Sequence, residues 1–276
     1  MTFKENSFVV AQGLVAFRCY IGVFCIMSKK TNKIITGNGY TIYNSDCISQ
    51  LKHIPDKSID LILTDPPYNL GIFMHKRGTN LKKMRENHFA YSGWDDLDFE
   101  TWKDEMDKFL AECHRVLKPR GALVIFMSII KVETIINQAQ KHNFYYKTVG
   151  TWHKKNPMPR NMNLHFINST ESWIYFINDA TTGTFNNNGL PVHDFVETST
   201  ISSSERKLGK HPTQKPIALM KHFINLLSNS NEIVLDPFMG SGSTGVAALL
   251  ESRQFIGIEL SEEYFQLATQ RLCQKK

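Results

Sequence analysis

The 276-residue chain lacks the cysteine pattern of a disulfide framework or a zinc finger. None of its five cysteines belongs to a C-x-x-C pair, and none has a histidine at a zinc-finger interval. We therefore expect neither cross-links nor a structural metal, and this cysteine usage fits a reducing, cytoplasmic setting. The cysteines are Cys19, Cys25, Cys47, Cys113 and Cys273.

Long apolar runs are also missing. The most apolar stretch, residues 8–27, is interrupted by Gln12 and Arg18 and has no initial basic cluster or clear cleavage site, so we expect no membrane span. Met27-Ser28-Lys29-Lys30 is typical of a protein beginning. Residues 1–30 are therefore treated as an N-terminal extension of uncertain role, either the product of an upstream start or an edge element of the fold.

Composition and charge narrow the class of protein. With 42% hydrophobic, 11% aromatic and 21% charged residues, the chain suits one large α/β domain with an insertion, and disorder or a fibrous fold is not expected. The net charge of +6 permits a polyanionic partner without requiring one. Short apolar runs alternate with amphipathic segments, which predicts a doubly wound, mostly parallel sheet.

The first informative motif is Thr64-Asp65-Pro66-Pro67-Tyr68-Asn69, which follows the apolar run 59–63. A buried strand that ends here places Asp65 at the carboxyl edge of the sheet, where open α/β sheets bind ligands. Because the prolines have no N–H groups, the Asp65 carboxylate and the Pro66 carbonyl remain available as acceptors. An exocyclic amine of a nucleobase could donate to them while the base stacks on Tyr68. An ordinary strand-ending turn is the alternative.

The second motif is the glycine-rich loop 236–245, which lies between a buried strand and a helix. Gly240, Gly242 and Gly245 match G-x-G-x-x-G, and we expect them to allow close backbone approach to a ligand. The next strand ends at Glu259, placed to accept from ribose hydroxyls, so an NAD site is the rival interpretation. Only one helix, 262–272, follows Glu259, too little for a second nucleotide-binding half. No Gly-Lys-Ser/Thr follows the loop, which excludes a phosphate-binding P-loop.

In this order along the chain, the two motifs resemble those of DNA amino-methyltransferases of the restriction-modification kind, in the beta permutation class. The segments Lys154-Lys155-Asn156-Pro157 and His211-Pro212-Thr213-Gln214-Lys215-Pro216 also match, and the resemblance covers residues 40–272. It implies a circularly permuted, Rossmann-like methyltransferase fold. Its parts would be a catalytic half (31–178), a target-recognition insertion (179–208) and a cofactor-binding half (209–276).

The resemblance implies transfer of a methyl group from S-adenosylmethionine to adenine N6 in double-stranded DNA. The target base would be flipped out and its amine would attack directly and in line, with no covalent enzyme intermediate. Cytosine N4 is the alternative acceptor, although Asp at the first motif position goes mainly with adenine in the resembling families. The implied catalytic residues are Asp65, Pro66, Pro67 and Tyr68.

The resemblance also implies a cofactor site. Asp46 and Cys47 would lie near its adenine, unless Asp46 serves only as a helix cap, and Thr213 and Lys215 would lie near its amino-acid end. The full implied set is Asp46, Cys47, Asp65, His211, Thr213, Gln214, Lys215, Asp236, Pro237, Phe238, Gly240, Ser241, Gly242 and Glu259.

DNA contacts are expected from three basic regions. The long segment 71–96 is a candidate lid that grips phosphates, or else a solvated loop. A homodimer and a cognate restriction endonuclease are possible further partners, and neither a metal nor a membrane is expected. The expected DNA-contacting residues are Lys76, Arg77, Lys82, Lys83, Lys154, Lys155, Arg160, Asn161, Arg206 and Lys207.

Overall fold

Twelve strands form one mixed sheet in the computed structural model, which describes residues 10–11, 14–18, 24–27, 33–70, 97–158, 163, 166–209 and 211–274. The order across the sheet is β1-β2-β3-β4-β5-β12-β11-β6-β7-β9-β8-β10. The strands are β1 (Val10–Ala11), β2 (Leu14–Arg18), β3 (Phe24–Met27), β4 (Lys33–Gly37), β5 (Tyr40–Asn44), β6 (Ile59–Thr64), β7 (Leu117–Met127), β8 (Phe144–Lys154), β9 (Thr170–Asn178), β10 (Phe195–Thr198), β11 (Ile233–Asp236) and β12 (Gln254–Glu259).

The centre of the sheet is parallel, as predicted. Strands β5, β12, β11, β6 and β7 are parallel neighbours, so the two C-terminal strands lie between β5 and β6. The amino-terminal half of the chain therefore completes the sheet around the glycine-rich loop. Leu61, Ile62 and Leu63 of β6 are fully buried, because helices cover both faces of a parallel sheet.

Both flanks of the sheet contain antiparallel strands, which the alternation of strand and helix did not predict. Strand β9 runs antiparallel to both β7 and β8. The described part of the β8–β9 connection contains no helix, and a parallel return needs a crossover that is usually helical. On the other side, β1 to β4 run antiparallel to their neighbours up to β5, so residues before 31 contribute an edge to the sheet.

The described helices pack on the two faces of the sheet. The buried apolar residues form two clusters, one on each face of the sheet. Leu61 and Leu63 of β6 belong to one cluster, and Ile62 belongs to the other. None of the helices in the described ranges is long and apolar enough to cross a membrane. The helices are α1 (Cys47–Leu51), α2 (Phe99–Val116), α3 (Val132–Lys141), α4 (Ile217–Leu227), α5 (Ser243–Leu250) and α6 (Glu262–Cys273).

Helix α2 begins directly after its cap residue, Asp98. The Asp98 carboxylate accepts from the Thr101 N–H at 3.0 Å, which satisfies one of the free donors of the first turn. Trp102, Met106 and Phe109, at three- and four-residue spacing, are fully buried. These apolar positions therefore form the face of the helix that packs on the sheet.

The segment 179–208 contains β10 and a short 3-10 turn, Ser204–Arg206. Asn186 attaches the segment to the end of α4, because its N–H donates to the Leu226 carbonyl at 2.8 Å and its side-chain amide to the Ser228 carbonyl at 2.9 Å. Asn186 therefore has a structural role within the segment that the resemblance assigns to target recognition.

Candidate active site

Four acidic side chains follow four neighbouring parallel strands at one edge of the sheet. Asp46 lies just after β5, Glu259 ends β12, Asp236 ends β11 and Asp65 follows β6. The four strands are consecutive in the sheet, so their carboxyl ends meet. All four acids line one cleft, as do Pro66, Pro67 and Tyr68.

Both oxygens of the Asp65 carboxylate are hydrogen-bonded within the chain. Oδ1 accepts from the Tyr68 hydroxyl at 2.6 Å, and Oδ2 accepts from the Lys215 ammonium. Burial raises the pKa of Asp65 above its ordinary value, while the Lys215 charge and the Tyr68 hydroxyl oppose that shift. Tyr68 therefore orients the carboxylate through its hydroxyl, a role that its aromatic face alone did not indicate.

Glu171, at the start of β9, belongs to the same cluster and was missed by the sequence reasoning. Its carboxylate pairs with the ammonium groups of Lys154 at 2.7 Å and Lys215 at 3.1 Å, and the Tyr68 hydroxyl lies 3.4 Å away. Although burial opposes it, the two lysines lower the pKa of Glu171. The only local sign of its role in the sequence was its position as an acid at the start of a mostly apolar strand.

Lys215 is 7% exposed and lies between two carboxylates. Its Nζ atom is 5.8 Å from the centroid of the Tyr68 ring and 5.2 Å from that of Phe126. Burial opposes its charge, but Asp65 and Glu171 raise its pKa above the ordinary value, so the ammonium stays charged. Its expected place at the amino-acid end of the cofactor stays a prediction.

Gly240 and Glu259 join the glycine-rich loop to β12. The N–H groups of Gly240 and Ser261 donate to the two oxygens of Glu259 at 2.9 and 2.7 Å. Burial raises the pKa of Glu259 to about 7. Gly240 has a φ of +51°, and a Cβ there would lie 3.1 Å from the His211 ring. This position therefore needs glycine for its conformation and for the space beside the cleft.

Of the three motif glycines, the described lining of the cleft includes Gly240 alone. Gly242 has a φ of +78°, and a Cβ there would lie 3.1 Å from the Cβ of Ala268 on α6. A Cβ on Gly245 would lie 2.5 Å from the Phe255 ring. These two glycines let α5 pack closely on its neighbours, and close ligand approach at them stays a prediction.

The Asp236 carboxylate fixes the start of the glycine-rich loop through three hydrogen bonds. It accepts from the Thr64 hydroxyl at 2.8 Å, the Thr244 hydroxyl at 2.6 Å and the Phe238 N–H at 3.1 Å. Burial raises its pKa to about 6, although these hydrogen bonds favour the charged form. Its three partners come from β6, α5 and the loop itself, so Asp236 sets their relative positions.

Asp46 caps α1, because its carboxylate accepts from the Ser49 N–H at 2.9 Å. It also lines the cleft beside Cys47. The capping alternative is thus confirmed, while its contact with the cofactor stays a prediction. Across the cleft, His211 packs edge-on against Tyr264 with ring centroids 4.2 Å apart.

The cleft suits S-adenosylmethionine on three grounds. Phe238 and Ile258 supply apolar surface for a purine, and the acidic lining favours a positively charged ligand. The third ground is Gln214, a residue that lines the cleft and whose buried Oε1 has no hydrogen-bond partner among the described residues. A buried acceptor of this kind requires a donor, and an ammonium group supplies one.

The expected DNA-contacting residues fall into three sets. Lys154 is 16% exposed and its ammonium is paired with Glu171 at the cleft, whereas Lys155 is more exposed and pairs with Glu197 at 3.2 Å. Arg206 and Lys207 lie at the end of the 3-10 turn. Outside the described residues are Lys76, Arg77, Lys82, Lys83, Arg160 and Asn161.

Fold and cleft together define a Rossmann-like, S-adenosylmethionine-dependent methyltransferase. A family model described as DNA methylase matches residues 59–270. The chain belongs to this DNA methylase family.

Two curated relatives are Type II methyltransferases by name. The chain is 30% identical to the Type II methyltransferase M2.MboI of Moraxella bovis over 244 residues, 84% of this chain and 87% of that protein. It is 34% identical to the Type II methyltransferase M.HinfI of Haemophilus influenzae over 254 residues, 86% of this chain and 69% of that protein.

Solved structures agree with this assignment. The M1.HpyAVI–SAM complex aligns with a TM-score of 0.62 at 29% identity, covering 84% of this chain and 99% of that one. The PvuII DNA methyltransferase, named as cytosine-N4-specific, aligns with a TM-score of 0.68 at 21% identity over 86% and 87%, which supports the fold alone. The enzyme is therefore a site-specific DNA N-methyltransferase of adenine N6 or cytosine N4 that uses S-adenosylmethionine, and the NAD interpretation is set aside.

Proposed function

We propose that this enzyme methylates adenine N6 within a specific sequence of double-stranded DNA. The observation that carries the proposal is the half-buried Asp65 carboxylate, which lines the cleft at the end of β6 and is followed in the chain by Pro66 with its free carbonyl. An exocyclic amine supplies the two N–H donors that this pair of acceptors requires. The choice of adenine rests on the acid at the first motif position, where the resembling cytosine enzymes mainly carry serine.

The chain's own residues would act on the base by orienting it. Tyr68 provides the stacking face for a flipped base, and flipping costs a few kcal/mol. Asp65 and the Pro66 carbonyl accept from the amine, which draws its lone pair out of conjugation with the ring. The bound cofactor supplies an activated methyl group. Burial raises the pKa of the Cys47 thiol well above its ordinary value, so that thiol stays protonated and no covalent step is assigned to it.

The other cleft residues would hold the cofactor. Glu259 retains free lone pairs for the ribose hydroxyls, since each of its oxygens accepts one backbone N–H. Phe238 offers a face for the purine, and Gln214 has the acceptor for the amino group. Homodimerisation, a cognate endonuclease and a cytoplasmic location stay predictions.

The test is methyl transfer from labelled S-adenosylmethionine to unmethylated DNA, followed by digestion to nucleosides and mass spectrometry. We expect N6-methyladenine, confined to one sequence when the modified sites are mapped. N4-methylcytosine as the only product would overturn the choice of base and leave the fold and cofactor unchanged. An Asp65→Ala preparation controls for contaminating methyltransferases.

A further inference from the structure

The Lys215 ammonium occupies the place that the proposed function assigns to the target amine. The Tyr68 hydroxyl donates to one oxygen of Asp65, and the Lys215 ammonium donates to the other. The same ammonium lies 5.8 Å from the centroid of the Tyr68 ring, the face proposed for the flipped base. A base amine that enters beside this ring therefore competes with Lys215 for the Oδ2 oxygen of Asp65.

We propose that Lys215 is a placeholder for the target amine, and that Glu171 is a positioning residue that retains Lys215 when the base enters. This inference rests on the proposed function. Before DNA binds, Lys215 bridges the two carboxylates. When the base arrives, its amine takes the Asp65 oxygen and Lys215 stays paired with Glu171 alone.

Charge pairing gives the physical reason for this exchange. Asp65 and Glu171 carry two negative charges, and Lys215 and Lys154 carry two positive ones, so the cluster is neutral overall. Removing one partner from a buried ion pair is strongly destabilising, because the other charge is left uncompensated. Lys215 already lies 3.1 Å from Glu171. When Lys215 moves away from Asp65, Lys215 and Glu171 therefore still have each other as ion-pair partners. Lys154, 2.7 Å from Glu171, keeps a second positive charge in the cluster, so the total charge stays balanced when Lys215 leaves Asp65.

A purely structural ion cluster predicts something different. If Glu171 served only to stabilise the fold, its loss would lower the melting temperature without changing how the base enters. If Glu171 retains a displaced Lys215, its loss ties Lys215 more strongly to Asp65. Base entry would then become less favourable while the cofactor still binds.

The first experiment measures base entry in Glu171→Gln, which keeps the shape of the side chain and removes its charge. The wild-type enzyme first defines the target sequence, and 2-aminopurine then replaces the base next to the target adenine in a duplex, so that the target keeps its 6-amino group and its departure from the stack raises the fluorescence. We expect a much smaller fluorescence increase on binding than for wild type and a fall in turnover of about tenfold, less than for deleting a direct contact to the transition state. Cofactor affinity by titration calorimetry should stay unchanged.

Two controls accompany this variant. Glu171→Asp restores the charge and should recover most of the fluorescence change and turnover. Glu251→Gln removes a glutamate that pairs with Lys221 away from the cleft, and it should behave as wild type. Wild-type fluorescence and turnover in Glu171→Gln would overturn the placeholder proposal alone. Failure of the wild-type enzyme to methylate any DNA would instead overturn the proposed function.

A second readout is the acidic limb of the pH profile of kcat/KM. Removing the Glu171 charge should move this limb to lower pH, because a negative neighbour of Asp65 is lost. Lys215→Met should move it to higher pH, because a positive neighbour is lost. The proposal would be overturned if the acidic limb did not move in these two variants, or if it moved in the same direction in both. The groups that bear on Asp65 directly are Tyr68, Glu171, Lys215 and Asp236, and Lys154 acts on Glu171.

Discussion

The Thr64 hydroxyl donates to the Asp236 carboxylate at 2.8 Å, across 172 positions of sequence. Thr64 directly precedes Asp65, and Asp236 opens the glycine-rich loop. Both side chains are buried, and their strands β6 and β11 are parallel neighbours. This hydrogen bond therefore joins the turn that we propose to hold the base to the loop beside the cofactor cleft.

Thr64→Val tests this connection. The substitution keeps the shape and removes the donor, so a buried carboxylate loses a hydrogen bond. We expect the free energy of unfolding to fall by about 1–3 kcal/mol and cofactor affinity to weaken. Urea denaturation and titration calorimetry measure the two effects. The control is Thr36→Val at an exposed position of β4, which should change stability by less than about 0.5 kcal/mol. Equal effects in the two variants would refute the connection.

Asp65→Ala should reduce turnover at least about 100-fold, the scale for deleting one preorganised polar contact to a transition state. Cofactor affinity should remain largely intact, because the acceptor for the amine is lost rather than the surfaces proposed for the cofactor. Steady-state methylation and titration calorimetry separate these quantities. Asp107→Ala removes an acid on α2 that pairs with His142 and serves as the control. Turnover within a few-fold of wild type would remove Asp65 from the catalytic role.

Gly242→Ala should destabilise the protein by packing as well as by backbone strain. The new Cβ would approach Ala268 on α6, and a φ of +78° is unfavourable for alanine. Gly189 is a matched control, because its φ is +75° and nothing lies within 4 Å of its Cβ position. Strain alone costs about 1–2 kcal/mol. Denaturant unfolding should therefore show a larger loss at Gly242 than at Gly189, and equal losses would contradict the packing argument.

Cofactor affinity should rise with pH through about 7. Burial raises the pKa of Glu259 to about 7 and that of Asp236 to about 6, so both gain charge over this range. A positively charged sulfonium binds the ionised cleft better, and a pKa change of one unit on binding corresponds to about tenfold in affinity. Calorimetry between pH 5.5 and 8.5 measures this dependence. S-adenosylhomocysteine, whose sulfur is neutral, should show a weaker dependence, and an equal one would argue against the charge effect.

Replacing Lys76, Arg77, Lys82 and Lys83 together by Ala should weaken DNA binding similarly for all sequences. The slope of log K against log salt should flatten by about 0.9 for every phosphate that the variant no longer neutralises. Filter binding at several salt concentrations gives the slope, with Lys103→Ala/Lys108→Ala on α2 as a control that removes lysines already paired with glutamates. An unchanged slope would identify the segment 71–96 as a solvated loop.

The sequence by itself determined the central strands, the helices beside them and the motifs at the strand ends. Residues 59–63 and 233–235 form buried strands, and Asp98 begins α2, because apolar periodicity and helix capping depend on neighbours a few positions away. The placement of Asp65, Asp236 and Glu259 in one cleft followed from the rule that parallel strands share a carboxyl edge.

Only the tertiary structure decided which side chains meet across that edge. Glu171 joins Asp65 because β9 runs antiparallel, which places the start of that strand at the end where the parallel strands finish. Lys215 pairs with both acids, and Gly242 packs on α6, through contacts between segments distant in the chain. Strand direction and neighbour choice arise from packing over the whole sheet, and no local pattern of residues encodes them.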